Sequence, residues 1–368
     1  MPSFYITHTP YHILISCGLA CYSRDNINYL VIIRDFPNAD IYYESILKWK
    51  NNPFTDIILI PGMYNLKNNN VISVTRICYK NINIIKSFFD KYISADSCVF
   101  LFNDRRPEGQ AIAHIISKKN GLVIYIEDGL EVYNDHKAKK TNTISKFFFK
   151  IIYGGWYNPV QILGTSKFIR EMMVFRPEFI RPELKNNDII RIPDDVFNNI
   201  DENFTSLISK GYVNNLDDLI FDCFLIIDHS DSFKYQSLEN VKELYSQLIY
   251  FLHKTFKNIG AKYHPREQKN DFLNLGSNEK INLLPNSLSM EILLILFAKK
   301  PPKLIIGSFS TAILTCSMLL DKNTHLISIM KILCQKDSCT INIFERVGII
   351  VPSSMNEFKY EVNSISNY

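Results

Sequence analysis

Short apolar runs alternate with longer amphipathic segments through most of this sequence, and that alternation limits the folds open to the chain. Buried strands are predicted at Phe4–Thr7, Tyr29–Ile33, Asp56–Ile60, Ser97–Phe102 and Leu122–Ile126. Apolar residues at helical spacing predict helices between them, for example at Asp40–Trp49, Asn81–Tyr92 and Glu108–Lys118. Strands that alternate with helices in this way predict an α/β fold, with a parallel sheet covered by helices on both faces.

A polar, proline-rich stretch from Arg176 to Asp195 interrupts the pattern, and we interpret it as a linker. The alternation then resumes with strands predicted at Phe221–Ile227, Ala261–Tyr263, Leu304–Ile306, Leu326–Ile329 and Gly348–Val351. Helices are predicted at Ser237–Phe256, Met290–Phe297 and Thr311–Leu320. Because 368 residues exceed one ordinary core, we predict two domains, 1–190 and 191–368, with substrates bound in a cleft between them.

Composition excludes several classes of protein. Hydrophobic residues make up 46% of the chain and the net charge is only +4, so the chain is globular and has no bulk attraction for nucleic acid. The eight cysteines form no Cys-x-x-Cys pair, which favours free thiols in a reducing cytoplasm over a zinc or disulfide framework. With no signal peptide and no apolar run long enough to span a bilayer, we expect a cytoplasmic protein. The clustered Lys137, Lys139 and Lys140 predict a solvated loop or, alternatively, a contact with substrate or with anionic lipid, the latter as a peripheral contact at the inner membrane.

Glu127-Asp128-Gly129, here called the acid motif, directly follows the predicted strand Leu122–Ile126. Ligands of parallel sheets bind beyond the carboxyl ends of the strands, so this position can place a carboxylate in a binding site. Partial burial beside another carboxylate would raise the pKa of one acid and make it a better base. The alternative is an ordinary acidic turn.

Two further groups of residues follow predicted strands in the second half. Lys262-Tyr263-His264-Pro265-Arg266 contains the His-Pro motif, His264-Pro265, in which proline restricts how His264 leaves its strand. Residues Gly307-Ser308-Phe309-Ser310-Thr311, here called the hydroxyl turn, open a predicted helix whose N-terminal N–H groups suit a phosphate. The alternatives are a surface histidine and a simple helix cap.

An acid motif, a His-Pro motif and a hydroxyl pair in this order resemble the motifs of bacterial sialyltransferases, both the lipooligosaccharide type and the polysialyltransferases. The resemblance covers most of the chain, although each motif is only two or three residues long. The modest length favours the lipooligosaccharide or O-antigen type. The resemblance implies a GT-B fold, with two Rossmann-like domains facing each other across a cleft. It also implies an inverting transfer of sialic acid from CMP-sialic acid to an oligosaccharide acceptor, a galactoside being favoured, without metal or cofactor.

The resemblance also implies residue roles. Glu127 matches the general base and His264 the residue that stabilises the departing CMP phosphate. Asp128, Gly129 and Pro265 complete the two motifs. Ser310 and Thr311 match the phosphate-binding pair, with Ser308 an alternative, and Glu291 matches a carboxylate on the nucleotide ribose. The absence of an Asp-x-Asp triplet is consistent with chemistry that needs no divalent ion.

Other residues remain open to two interpretations. Asp228 or Asp231 could assist or replace Glu127 as the base, and Arg105 either meets the sialic acid carboxylate or forms a surface ion pair. Thr9-Pro10-Tyr11-His12 would line the same cleft. Tyr5, Tyr11 and Trp156 either stack on sugars or belong to the core. Two rival functions share the fold: a transferase or epimerase that uses a UDP-sugar, and a non-catalytic glycan-binding protein.

Overall fold

The structure is a computed structural model that describes residues 1–64, 70–135, 137–140, 142–212, 216–233, 236–267, 269, 271–320, 323–335 and 337–366. It divides into two compact units, Met1–Phe204 and Thr205–Tyr368. The division falls after Phe204, inside a helix, and therefore later than the boundary between 190 and 191 that the sequence predicted.

The described residues of the first unit form a seven-stranded parallel sheet with the order β3-β2-β1-β4-β5-β6-β7. Its strands are β1 Pro2–Thr7, β2 Ile27–Ile33, β3 Phe54–Ile60, β4 Cys98–Leu101, β5 Leu122–Ile126, β6 Glu171–Val174 and β7 Asp188–Arg191. The helices are α1 Pro10–Tyr22, α2 Ala39–Lys48, α3 Val71–Tyr92, α4 Pro107–Lys118, α5 Thr143–Tyr153 and α6 Glu202–Ser209, the last crossing into the second unit.

Strand β1 is an interior strand of this sheet, and its residues from Ser3 to Thr7 are buried on both faces. Phe4 is fully buried and stacks between Tyr29 and Phe89, with ring centroids 4.8 and 4.0 Å away. Tyr5 points to the opposite face and stacks on Phe100 at 4.5 Å. The chain order reverses between β1 and β4, so the crevice beyond the carboxyl ends of these strands is the expected ligand position.

The second unit repeats the architecture with a five-stranded parallel sheet of order β10-β9-β8-β11-β12 in its described residues. The strands are β8 Cys223–Ile227, β9 Ile259–Tyr263, β10 Ile281–Leu283, β11 Leu304–Gly307 and β12 His325–Ser328. The helices are α7 Leu238–Thr255, α8 Met290–Phe297, α9 Thr311–Leu319, α10 Ser338–Arg346 and α11 Met355–Ser366. Here the order reverses between β8 and β11.

The interpretation of Arg176–Asp195 as a linker is wrong. This segment contains β7, which pairs with β6 at the edge of the first sheet. Three of the four residues of β7 are exposed, so the strand lacks the apolar pattern that marks a buried strand. The strand predicted at Gly348–Val351 is reduced to a single bridge between Ile350 and Ile327.

Two further expectations concern membranes and cysteines. No helix in the described part of the chain is both long and apolar enough to cross a bilayer. All eight cysteines are free thiols, as predicted, and six of them are buried, whereas Cys334 is exposed and Cys339 partly so.

Candidate active site

Glu127 is a buried acid at the carboxyl end of β5 in the first unit. It follows β5 directly, is 1% exposed and donates its backbone N–H to the carbonyl of Met173 at 3.0 Å. Its Oε2 accepts the N–H of Phe175 at 2.7 Å and the hydroxyl of Tyr133, while Oε1 accepts the hydroxyl of Tyr11 at 3.3 Å. Three donors therefore hold the carboxylate, and the contact on Oε1 is the longest of those measured.

Burial sets the protonation of Glu127. Removal from water raises the pKa of Glu127 to about 7, although the hydrogen bonds from Tyr133, Phe175 and Tyr11 work in the opposite direction. Burial also raises the pKa of both tyrosines well above the ordinary value, which keeps them protonated as donors. The side chain consequently exchanges between acid and carboxylate near neutral pH, which is the range that suits a general base.

Asp128 differs from its neighbour because it faces α1 and remains partly open to solvent. Its side chain is 28% exposed, and Oδ1 lies 2.8 Å from Nε2 of the buried His12. The backbone N–H of His8 donates to Nδ1 of His12 at 3.2 Å, so we assign the His12 proton to Nε2, which donates to Asp128. Burial opposes ionisation, but the contact with His12, together with the charges of His8 and Arg105, lowers the pKa of Asp128.

A second carboxylate extends this network to two more strand ends. Asp35 follows β2, and its Oδ2 lies 2.9 Å from Nδ1 of His8 and 2.9 Å from Nη2 of Arg106. Burial works to raise the pKa of Asp35, but the contacts with His8, Arg106 and the Met63 N–H lower it to about 2. Charged and polar groups that follow β1, β2, β4 and β5 are thereby joined at one edge of the sheet.

Gly129 makes the sharp turn that closes this arrangement. Its φ of 72° lies in the left-handed region, where glycine is favoured. The turn that follows returns Tyr133 to Glu127 and directs Glu131 to Arg105, with which it forms an ion pair. Arg105 also donates to the carbonyls of Val160 at 3.3 Å and Gln161 at 3.0 Å. The structure therefore supports the ion-pair interpretation of Arg105 over contact with a substrate carboxylate.

The aromatic residues that were open to two interpretations have structural roles. Tyr5 is in the core, and Tyr11 is buried and donates to Glu127. Trp156 is half-buried and stacks on His114 with centroids 5.9 Å apart.

In the second unit, His264 follows β9 and continues its pairing with β8 through an N–H to the carbonyl of Ile227 at 2.7 Å. The N–H of Arg266 donates to Nδ1 of His264 at 3.1 Å, so we assign the ring proton to Nε2. Burial, together with the charges of Lys262 and Arg266, lowers the pKa of His264 to about 3. The half-buried imidazole is thus a neutral hydrogen-bond donor at physiological pH.

A buried glutamate fixes the loop that carries the His-Pro motif. Glu267 accepts the backbone N–H and, at 3.1 Å, the hydroxyl of Ser230, which belongs to the loop after β8. The loops after β8 and β9 are therefore held together, and the ring centroids of His229 and His264 lie 5.4 Å apart. Pro265, which follows His264, is exposed.

The hydroxyl turn lies where the order of the second sheet reverses. Ser308 is completely buried and donates its hydroxyl to Oδ2 of Asp228, which also accepts the N–H of Phe309 at 3.2 Å. Burial raises the pKa of Asp228. Asp228 and Ser308 thus shape the turn, which disfavours the alternatives that made Asp228 the base and Ser308 a phosphate ligand. Asp231 is exposed.

Ser310 and Thr311 are the accessible hydroxyls of this turn. Ser310 caps α9 by accepting the N–H of Ala312 at 3.1 Å, and Thr311 is the first helical residue. Both are half-buried. The first-turn N–H groups of a helix have no partner within it and carry partial positive charge, so this end of α9 can bind an anion.

Glu291 lies in the first turn of α8, which is capped by Ser289 at 3.3 Å. Burial raises the pKa of this half-buried carboxyl, and the nearby Lys262 acts in the opposite direction. Lys262 is itself buried, and burial lowers its pKa to about 8. Its Nζ donates to the carbonyl of Tyr263 at 2.9 Å. A buried lysine and a carboxylate therefore interact in the unit predicted to bind the nucleotide.

The sequence reasoning missed Asp35 and Arg106. Asp35 has a signal similar to that of the acid motif, an acid two residues after a strand, whereas Arg106 is recognised only through its contact with Asp35. The structure brings the predicted unit-one residues Glu127, Asp128 and Gly129 together with Tyr11 and His12. It brings His264 and the hydroxyl turn together with Asp228 and Glu267 in the second unit.

A family model described as Alpha-2,8-polysialyltransferase matches residues 4–327. The chain belongs to the alpha-2,8-polysialyltransferase family. The match spans all three motifs and confirms the predicted resemblance to bacterial sialyltransferases. The matching model is that of the polysialyltransferases, whereas the length of the chain had favoured the lipooligosaccharide type. No curated protein sequence matches the chain.

Solved structures similar to this family member confirm the GT-B fold. A sialyltransferase from Photobacterium damsela has a TM-score of 0.56 and 13% identity, over 95% of this chain and 81% of that one. A 2,6-sialyltransferase from a Photobacterium species, solved with CMP and lactose, has a TM-score of 0.52 and 12% identity over 95% and 78%. The UDP-GlcNAc 2-epimerase of Neisseria meningitidis has a TM-score of 0.53 and 12% identity over 100% and 98%. At these identities the likeness is one of fold alone.

Proposed function

We propose that this protein transfers sialic acid from CMP-sialic acid to a hydroxyl of a glycan acceptor, with inversion and without a metal ion. The observation that carries the proposal is the placement of the motifs at carboxyl strand ends. The acid motif follows β5 in the first unit, and the His-Pro motif and hydroxyl turn follow β9 and β11 in the second. Family membership agrees with the sialyl donor, and no further cofactor is needed because the CMP phosphate is already a leaving group.

Glu127 is the proposed base. Its pKa of about 7 matches the requirements of proton transfer near neutral pH. The Phe175 N–H and Tyr133 anchor Oε2, whereas only the 3.3 Å contact with Tyr11 holds Oε1. An acceptor hydroxyl that displaces the Tyr11 hydroxyl from Oε1 would donate its proton there as it attacks the donor carbon. Asp128 would then orient the acceptor through its exposed oxygen, with Gly129 setting the turn.

His264 and the end of α9 are the proposed phosphate site. Nε2–H of His264 donates a hydrogen bond to the CMP phosphate, and the negative charge of that phosphate raises the pKa of the imidazole from about 3. Ser310, Thr311 and the first N–H groups of α9 supply further donors. These groups stabilise the charge that develops as the bond to CMP breaks. Pro265 fixes the backbone beside His264.

Glu291 is proposed to accept hydrogen bonds from the ribose hydroxyls of the nucleotide. The nearby charge of Lys262 favours the ionised form of this carboxyl, although burial raises the pKa of Glu291 overall. Because Lys262 is buried, we propose that it acts on the ribose only through Glu291.

The family name favours a sialoside as acceptor, with attack by its C8 hydroxyl, over the galactoside favoured by the motifs. The galactoside remains the competing acceptor. Whether one residue or a polymer is added is read from the products.

The test incubates the purified chain with CMP-sialic acid, with EDTA or with Mg²⁺, and with matched sialosides and galactosides. Mass and linkage analysis should show α-2,8-linked products on sialosides at equal rates with EDTA and with Mg²⁺. Turnover of UDP-sugars alone would assign the epimerase-like function that the Neisseria fold neighbour illustrates. CMP-sialic acid binding without any product, at every acceptor tried, would support a non-catalytic binding protein.

A further inference from the structure

Helix α5 presents its apolar side to solvent. No residue of α5, all of which are described, is buried. Ile144 is 70% exposed and Phe147 62% exposed, and Phe148, Ile151 and Ile152 are exposed on the same side. These five residues recur at helical spacing and share one face. A surface helix ordinarily turns such a face toward the core, so the arrangement is reversed.

The opposite side of α5 is attached to the first unit. Phe149 packs edge-on against the buried Tyr157, with centroids 6.0 Å apart. The hydroxyl of Tyr153 lies 3.5 Å from Oγ1 of Thr75 on α3. Tyr157 in turn donates to the carbonyl of Arg105 at 3.2 Å. Helix α5 therefore packs on the first unit through Phe149 and Tyr153, and the side that carries the five apolar residues remains exposed.

Helix α3 extends the uncovered surface. Ile72, 79% exposed, and Tyr79, 56% exposed, lie one turn before and one turn after Thr75, so they flank the contact with α5. The seven exposed residues are here called the apolar patch: Ile72, Tyr79, Ile144, Phe147, Phe148, Ile151 and Ile152.

Positive charge surrounds the apolar patch. Residues 137–153 contain five lysines and no Asp or Glu. Lys139, Lys140 and Lys150 are exposed, as are Arg76 and Lys80 on α3. Lys137 is paired with Glu183 at 2.9 Å. Aromatic and aliphatic side chains bordered by lysines characterise helices that lie in the headgroup region of a membrane.

We propose that the apolar patch docks the protein on an anionic membrane surface. Phe147, Phe148 and Ile151 enter the boundary between headgroups and acyl chains, and the surrounding lysines contact the anionic headgroups. The charge favours a lipid over a protein partner, because lysine is depleted from the cores of protein interfaces, whereas anionic lipid attracts it. This surface belongs to the first unit, and the inference is independent of the transfer reaction.

The experiment measures sedimentation of the full chain with vesicles of phosphatidylcholine, with or without phosphatidylglycerol. We expect the wild type to bind vesicles that contain phosphatidylglycerol at least about 10-fold more tightly than vesicles of phosphatidylcholine alone. Partitioning of F147S/F148S onto the anionic vesicles should be roughly 100-fold weaker than that of the wild type. The variant lacks the two phenyl rings whose transfer from water into the membrane favours binding. K139Q/K140Q should lose roughly 30-fold, and added salt should reproduce that loss.

Matched controls remove exposed apolar side chains outside the patch: Leu47→Ser on α2 and Tyr360→Ser on α11, which are 51% and 72% exposed in the wild type. Both should bind vesicles like the wild type. Equal binding of F147S/F148S and wild type would overturn the proposal. The proposal would also be overturned if the wild type did not sediment with vesicles but formed a concentration-dependent dimer that F147S/F148S abolished. Transfer to a soluble acceptor should be unchanged in F147S/F148S, which separates failure of docking from failure of the proposed function.

Discussion

The two units have the same sheet architecture but equip their strand ends differently. In the first unit, carboxylates and histidines contact one another, and burial raises the pKa of Glu127 to about 7. In the second, the candidate groups are a neutral imidazole, two hydroxyls and the N-terminus of α9. Ionisable side chains at the strand ends of the first unit suit acceptance of a proton. Neutral hydrogen-bond donors at the strand ends of the second unit suit a phosphate that gains negative charge as its bond to the sugar breaks.

Asp128 and Asp228 sharpen the comparison, since each lies within two residues of the carboxyl end of an interior strand. Asp128 keeps 28% of its side chain exposed and contacts a histidine, whereas Asp228 is buried and accepts from Ser308 and Phe309. An acid at a strand end is therefore not sufficient for a site. The hydrogen-bond donors around the acid decide whether its carboxylate is available to a substrate or holds a loop in place.

The largest effect is expected from Glu127→Gln, which keeps the shape of the side chain and removes the base. The kcat for sialyl transfer should fall about 1000-fold, while CMP binding measured by calorimetry is unchanged. Asp128→Asn is the matched variant on the adjacent residue and should lower kcat by roughly 10-fold, because only acceptor orientation is disturbed. A larger loss in Asp128→Asn than in Glu127→Gln would transfer the role of base to Asp128.

The next largest effect is expected at His264. His264→Ala should lower kcat/KM for CMP-sialic acid about 100-fold, because it removes a donor to the departing phosphate. His264→Gln places an amide near Nε2 and should recover part of that loss. His229→Gln is the control, since this ring is the neighbour of His264. Steady-state kinetics with varied donor concentration measures all three, and full activity of His264→Ala would remove the residue from the mechanism.

The pH dependence separates the two acids of the first unit. A base must be deprotonated, so kcat should rise about tenfold per pH unit below the pKa of Glu127, about 7, and level off above it. The pKa of Asp128 is lowered, so a base at that position would leave kcat flat through neutral pH. The pH profile of wild-type kcat, measured at saturating substrates, distinguishes these outcomes.

The smallest effect is expected at the helix cap of the second unit. Ser310→Ala and Ser237→Ala each remove a serine cap, from α9 and α7, and each should cost about 1 kcal/mol in the free energy of unfolding. Only Ser310→Ala should also raise KM for CMP-sialic acid, by roughly fivefold. Urea unfolding and donor kinetics measure the two quantities. An equal KM in both variants would restrict Ser310 to capping.

Much of the fold could be read from the sequence because buried strands and amphipathic helices leave strong local patterns. Strand β5 and helix α8 were predicted with the bounds that the structure gives. Strand β7 was missed because an exposed edge strand has polar residues on both faces. Helix α5 was also missed, although its apolar residues recur at helical spacing, and only the structure shows that they do not face the core.

The sequence by itself determined that acids, a histidine and hydroxyls follow buried strands, since strand ends and short motifs are local properties of the chain. Only the tertiary structure decided which of those groups are engaged. Arg106 and Asp35 meet across 71 positions of sequence, and Ser308 meets Asp228 across 80. Such contacts, and the burial that shifts the pKa of Glu127, arise only when strands distant in sequence become neighbours in a sheet.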